Sequence, residues 1–175
     1  MKSVSPETVE NVRLCIHRGF FEATGLDAQI HYYYDNEIEA FMARSDAEEL
    51  LSSGVLTPDE LVYANGPAMW VVPRKDLEIT DESVDADNIA KRLKQQIRNG
   101  DKHSLAFLVK DVGLFVAGSR KIAQTVRDIV LYSAFIRINT AQMGGIFTLN
   151  KHEQDFINEW ESEAFRKKIA DGSAK

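Results

Sequence analysis

The stretch from residue 104 to 145 constrains the fold more than any other part of the chain. Two strand-length runs, 104–109 and 113–117, are dominated by β-branched and aromatic residues, and Gly113 and Gly118 bracket the second. Residues 111–113 either turn the chain between two strands or bulge one longer strand. Ser119 then opens the longest helical stretch, which runs to Met143 and stops at Gly144 and Gly145. Within it, residues 129–138, I-V-L-Y-S-A-F-I-R-I, are apolar almost all round. That pattern predicts burial on more than one side, inside a domain or against another subunit.

Residues 113–120, G-L-F-V-A-G-S-R, come close to the phosphate-cradling pattern G-x-x-x-x-G-K-[ST]. The lysine position is Ser119 and the hydroxyl position is Arg120, so both chemical groups are missing. The intervening Leu114, Phe115, Val116 and Ala117 are strand formers, which assigns them to a sheet rather than to a nucleotide loop. Ser119 and Arg120 at a helix start could still hold an anion, because free N–H groups point there. The plainer role for Ser119 is that of a cap.

Elsewhere, Ser5 and Pro6 signal a first helix with Val9, Val12, Ile16 and Phe20 on one face, stopped at Gly25. Three tyrosines favour an extended strand at residues 29–36, with helix as the open alternative, and residues 37–43 read as helix. Ser45 is placed to cap a short helix that ends at Gly54. Thr57, Pro58 and Glu60 form the pattern of a capping box. Asn65, Gly66 and Pro67 turn the chain into a short strand at 68–72, ended by Pro73. Residues 85–99 read as an amphipathic helix packed on a sheet, with Lys91, Arg92, Lys94 and Arg98 off its apolar face and Gly100 closing it. The last helix starts with another capping box, Asn150 to Glu153, and carries Ile157, Trp160 and Ala164 at helical spacing.

The length of 175 residues suits one domain, taken as residues 1–170 with a frayed tail at 171–175. The net charge of −6 opposes a polyanionic partner, so nucleic acid is not expected. Cys15 is the only cysteine, which rules out an intrachain disulfide and fits a reducing compartment. Without a signal-like start or an apolar run of membrane-span length, the expectation is a soluble cytoplasmic protein with no membrane partner.

Candidate chemistry is sparse. His17, His31, His103 and His152 contain no paired ligand spacing, so no metal and no cofactor are expected. Asp46, Glu48 and Glu49, and Asp81 with Glu82, sit where acids stabilise helix starts. Cys15 and His17 are two apart on a helix and do not face each other. The basic residues 91–98 read as solvated surface, and no catalytic residue can be assigned.

Three stretches carry a family resemblance. L-V-K-D-V-G-L-F-V-A-G-S at 108–119, leading into a long helix, resembles class II aldolase/adducin domains, where a strand ending in His-Gly runs through a second glycine into a helix. G-V-L-T-P-D-E-L-V-Y at 54–63 and H-E-Q-D-F-I-N-E-W-E-S-E-A-F-R at 152–166 are similar to the aldolase-like region of long rhamnulose-phosphate aldolase/dehydrogenase fusions. The resemblance spans about residues 32–169. It implies an α/β fold, three-layer α/β/α with a central, mostly antiparallel sheet. It also implies a cytoplasmic sugar-phosphate setting, and partners that are further copies or a complementing aldolase-like chain. It adds Thr57 and Asp59 to Ser119 and Arg120 as candidate ligand-binding residues. The ligands for the family's metal do not carry over, because Val112 stands before Gly113 and Glu60 follows T-P-D where the family has histidines. The expectation is therefore an aldolase-like subunit or binding module without its own metal site. The alternative is an active metal-dependent sugar-phosphate aldolase with rearranged ligands, a carbon–carbon lyase.

Overall fold

In the computed structural model of the chain, residues 4–73 and 84–160 are described. Asp81, Glu82, Ala164 and the tail at 171–175 lie outside them. Helix α1 (Pro6–Thr24) begins as its sequence dictates: the Ser5 hydroxyl accepts from the Thr8 N–H at 3.0 Å and Pro6 occupies the first turn. Gly25, in the left-handed conformation at φ 72°, ends it. The tyrosine stretch is extended as strand β1 (Ile30–Tyr33). Three short helices follow, α2 (Asn36–Met42), α3 (Ala47–Ser52) and α4 (Pro58–Tyr63). Asp46, not Ser45, sits at the start of α3, and no side chain caps it there.

Strand β2 (Met69–Val71) leads towards α5 (Ala86–Arg98), and the hairpin of β3 (Ala106–Val109) and β4 (Gly113–Ala117) follows. Asp111, at φ 63°, turns the chain between the last two, which settles the open choice at residues 111–113 in favour of a turn. Helix α6 (Arg120–Gln142) and helix α7 (Lys151–Glu159) complete the described chain. None of these helices is long and apolar enough to cross a membrane.

The four strands form a mixed sheet in the order β1-β4-β3-β2. β1 and β3 flank β4 antiparallel, while β2 runs parallel to β3. The sheet is thus mixed, antiparallel at the hairpin and at β1 and parallel at β2, which a helical connection through α5 joins to β3. Side chains alternate between two hydrophobic clusters. Phe107, Val109, Phe115 and Ala117 pack with α1 and α5, and Leu108, Leu114 and Val116 pack with α2, α3 and α6. Strands with apolar side chains on both faces read as the uninterrupted runs seen in the sequence.

Asp35 ties α2 to α6. One carboxylate oxygen accepts from the N–H groups of Glu37 and Ile38, and the other accepts from the Arg127 guanidinium at 2.6 Å. Burial pushes its pKa up, but the Ile38 N–H and Arg127 outweigh that and hold it below the ordinary aspartate value.

The apolar stretch of α6 is not buried all round. Ser133, Ala134 and Arg137 face inward, while Tyr132 and Phe135 stay 71% and 66% exposed.

Candidate functional site

The T-P-D-E stretch folds as a helix start, but its glutamate does something the local pattern does not announce. The Thr57 hydroxyl accepts from the Glu60 N–H at 3.1 Å, as a cap should. The Glu60 carboxylate does not return to the cap residue. It accepts from the Leu56 N–H at 2.7 Å, from the Ser133 hydroxyl, and from Arg137 at 3.0 Å to each oxygen. Glu60 is 2% exposed and Arg137 is 0% exposed.

Arg137 spends all its donors inside this clasp. Nε donates to the Ser133 hydroxyl at 3.2 Å, and Nη1 donates to the Leu50 carbonyl and the Ser53 hydroxyl. Nη2 donates to the Gly54 carbonyl at 2.7 Å as well as to Glu60. With five N–H groups on a guanidinium, none is left over. Among the described residues no buried side-chain polar atom lacks a partner. The clasp fixes α6 against the loop between α3 and α4, and it leaves Glu60 no free lone pair aimed at solvent.

Beside the clasp lies a cleft of about 530 Å³, a size that suits a small molecule. The loop 54–55 and the turn at Asn65 and Gly66 form one wall. Arg92 and Gln96 of α5, Asp101 and Lys102 of the following loop, and Lys151 of α7 bring polar groups to it from separate parts of the chain. Arg92 is an exposed residue of α5 whose guanidinium donates to the Trp70 carbonyl at 2.6 Å. Burial of that head group lowers its pKa, and the Glu48 carboxylate pulls it back up. Lys151 pairs with Asp101 and Asp155, both at 3.3 Å. Arg92 is therefore not simply solvated surface: it covers an edge carbonyl of β2 and contributes charge to a cleft.

The four residues expected to bind ligand do not converge. Ser119 caps α6, accepting from the Ile122 N–H at 3.4 Å, with exposed Arg120 beside it. Thr57 caps α4 and Asp59 is exposed in its first turn. α4 meets α6 at Ser133, roughly 20 Å along the helix from Ser119. None of the four lines the cleft.

The phosphate-loop look-alike is strand: Leu114 to Ala117 are fully buried in β4. Val112, where the resembling family carries a metal-binding histidine, is also fully buried, and its carbonyl accepts from the Tyr32 hydroxyl at 3.0 Å. The histidines are dispersed. His17 meets Asp27 on the surface, the His31 ring bonds the Gly118 carbonyl, His103 lies edge-on to Phe20, and His152 is exposed on α7. Among the described residues, no three His, Cys, Asp or Glu side chains gather to hold a metal ion. A hydrocarbon side chain at 112 and a fully engaged carboxylate at 60 do not fit a metal's donor set.

Arg137 is the functional residue that no local motif marks. Its signal is that it is the one charged residue of the apolar stretch 129–138, because a guanidinium on a buried face demands a buried acid. The cleft left no such signal, since its charged residues come from segments far apart in sequence.

No family model matches the chain, and no curated protein matches it. Among solved structures, it is similar to the crystal structure of an aldolase II superfamily protein from Pseudomonas syringae, at 14% identity and a TM-score of 0.45. That similarity covers 91% of this chain and 64% of the other, so this chain spans less than two thirds of that structure's length.

Proposed function

We propose that this chain is a class II aldolase-like domain of cytoplasmic sugar-phosphate metabolism that has no metal site of its own and works as a subunit or binding module. The observation that carries the proposal is the fate of Glu60. The position after T-P-D, a histidine in the family the motif resembles, is a carboxylate enclosed by Arg137, Ser133 and the Leu56 N–H. Val112, sealed in the core, supports the same reading at the other family position. Aldol cleavage needs an electron sink, either a Lewis acid or an amine that forms a Schiff base, and neither residue can serve as one.

The cleft suits recognition better than turnover. Arg92, Lys102 and Lys151 supply positive charge for a phosphate, and Asp101, Gln95 and Gln96 supply partners for hydroxyls. Titration of the full chain with a ketose phosphate, followed by thermal unfolding and product analysis, tests this. The expected result is saturable stabilisation, weakened about tenfold or more by Arg92→Met, with no carbon–carbon cleavage. Cleavage by the chain alone, abolished by chelator, would establish the active lyase instead.

A further inference from the structure

Three cations reach the cleft, and their surroundings differ. Lys151 is shared between Asp101 and Asp155, both at 3.3 Å. Lys102 already has a partner of its own. Arg92 is the exception: it donates to the neutral Trp70 carbonyl, and among the described residues no carboxylate pairs with it. Glu48 of α3, which also lines the cleft, acts on Arg92 through space alone.

A guanidinium carries five N–H groups, and the Trp70 carbonyl takes one of them, so a fork of donors remains for an oxyanion. A cation without a bonded counter-charge gains most from an incoming phosphate. At Lys151 the same phosphate would meet two carboxylates and be repelled by both.

Helix α5 sets the other end of the cleft. The Asp101 N–H donates to the Gln96 carbonyl at 3.0 Å, which places Asp101 at the end of the helix, roughly 10 Å along its axis from Arg92. Gln95 lines the cleft between them. One oxygen of Asp101 accepts from Lys151, and among the described residues the other has no donor. A carboxylate with an open oxygen beside an ammonium can accept from one ligand hydroxyl while the ammonium donates to the next. With bonds of about 1.5 Å, an extended six-carbon chain with a terminal phosphate spans roughly 10 Å, and a three-carbon one only about 6 Å.

We infer that the cleft takes its ligand in one direction, phosphate on Arg92 and the far hydroxyls of an open chain on Asp101, so that Asp101 selects chain length and Glu48 opposes the phosphate. This rests on the reading of the cleft as a sugar-phosphate site and adds to it the direction of binding and the selecting residue.

Isothermal titration of the full chain with inorganic phosphate, glycerol phosphate and the six-carbon open-chain glucitol phosphate tests it. The wild type is expected to bind glucitol phosphate about tenfold or more tightly than glycerol phosphate, because only the longer chain reaches Asp101. Asp101→Ala is expected to abolish that preference and to leave the affinity for glycerol phosphate and inorganic phosphate within about twofold. Glu48→Gln is expected to tighten all three about twofold or more, since it removes a like charge from the phosphate end. Equal wild-type affinity for the two polyol phosphates overturns the inference. So does the opposite polarity, in which Asp101→Ala tightens inorganic phosphate and Glu48→Gln changes nothing. A chain that takes up none of the three sinks the sugar-phosphate reading itself, and the inference with it.

Discussion

Arg137→Ala is expected to remove a large part of the chain's folding stability while leaving its helical content near native at low temperature. Deleting one partner of a buried ion pair typically costs about 3–5 kcal/mol, because the other charge stays in the interior without compensation. Here Glu60 would keep the Leu56 N–H and the Ser133 hydroxyl but lose both contacts with the guanidinium. The Gly54 carbonyl would lose the guanidinium as donor as well, and the Leu50 carbonyl would keep only the Ser53 hydroxyl. Against a typical domain stability of about 5–15 kcal/mol, such a loss shifts a urea midpoint far down.

The double variant Glu60→Leu/Arg137→Met separates the ion pair from the packing around it. It is expected to be less destabilised than the sum of its single changes, with a coupling of about 0.5–3 kcal/mol, because no charge is left stranded. Urea unfolding followed by circular dichroism measures all four corners of the cycle. Additive single changes would show that the clasp is not an energetic unit.

Gly113→Ala is the second large effect. Gly113 opens β4 at φ +149°, a conformation that side chains rarely adopt, and a Cβ there would sit 2.7 Å from the Tyr32 ring and 2.9 Å from the Tyr33 carbonyl oxygen. The ring has little freedom to move, because its hydroxyl donates to the Val112 carbonyl at 3.0 Å. The backbone oxygen belongs to the register that joins Tyr33 to Leu114. Overpacking and backbone strain each cost about 1–3 kcal/mol, so the substitution is expected to loosen β1 from β4 and lower stability by several kcal/mol. Hydrogen exchange checks the location: protection should fall first at residues 30–33 and 113–117. A variant as stable as the wild type, with the strand amides still protected, would contradict this account of why glycine stands there.

The two capping boxes show what the sequence could and could not reveal. Asn150 and Glu153 close theirs in both directions, because nothing else claims the glutamate on the exposed start of α7. Thr57 and Glu60 present the same local pattern, yet Glu60 turns away towards Arg137, 77 positions further along the chain. Local spacing encodes the helix start in both cases and is silent about a partner that only tertiary packing supplies.

The same division holds elsewhere. Ser5, Gly25 and the apolar face of α5 were readable because caps and periodicity act within a few residues. The neighbourhood of β1 and β4, the open side of α6 and the assembly of the cleft depend on contacts between distant segments. Ser119 illustrates the limit for the site. Its hydroxyl does what a serine at a helix start ordinarily does, and nothing in the structure gathers Arg120, Thr57 and Asp59 around it.

Metal content of the purified full chain is the most direct measurement of the central proposal that positions 60 and 112, which align with metal ligands in the family the motifs resemble, are interior structure in this chain. Elemental mass spectrometry after dialysis without chelator should find far less than one transition metal per chain, unchanged when His103 or His152 is replaced. One tightly held zinc per chain, lost with either histidine, would contradict the account.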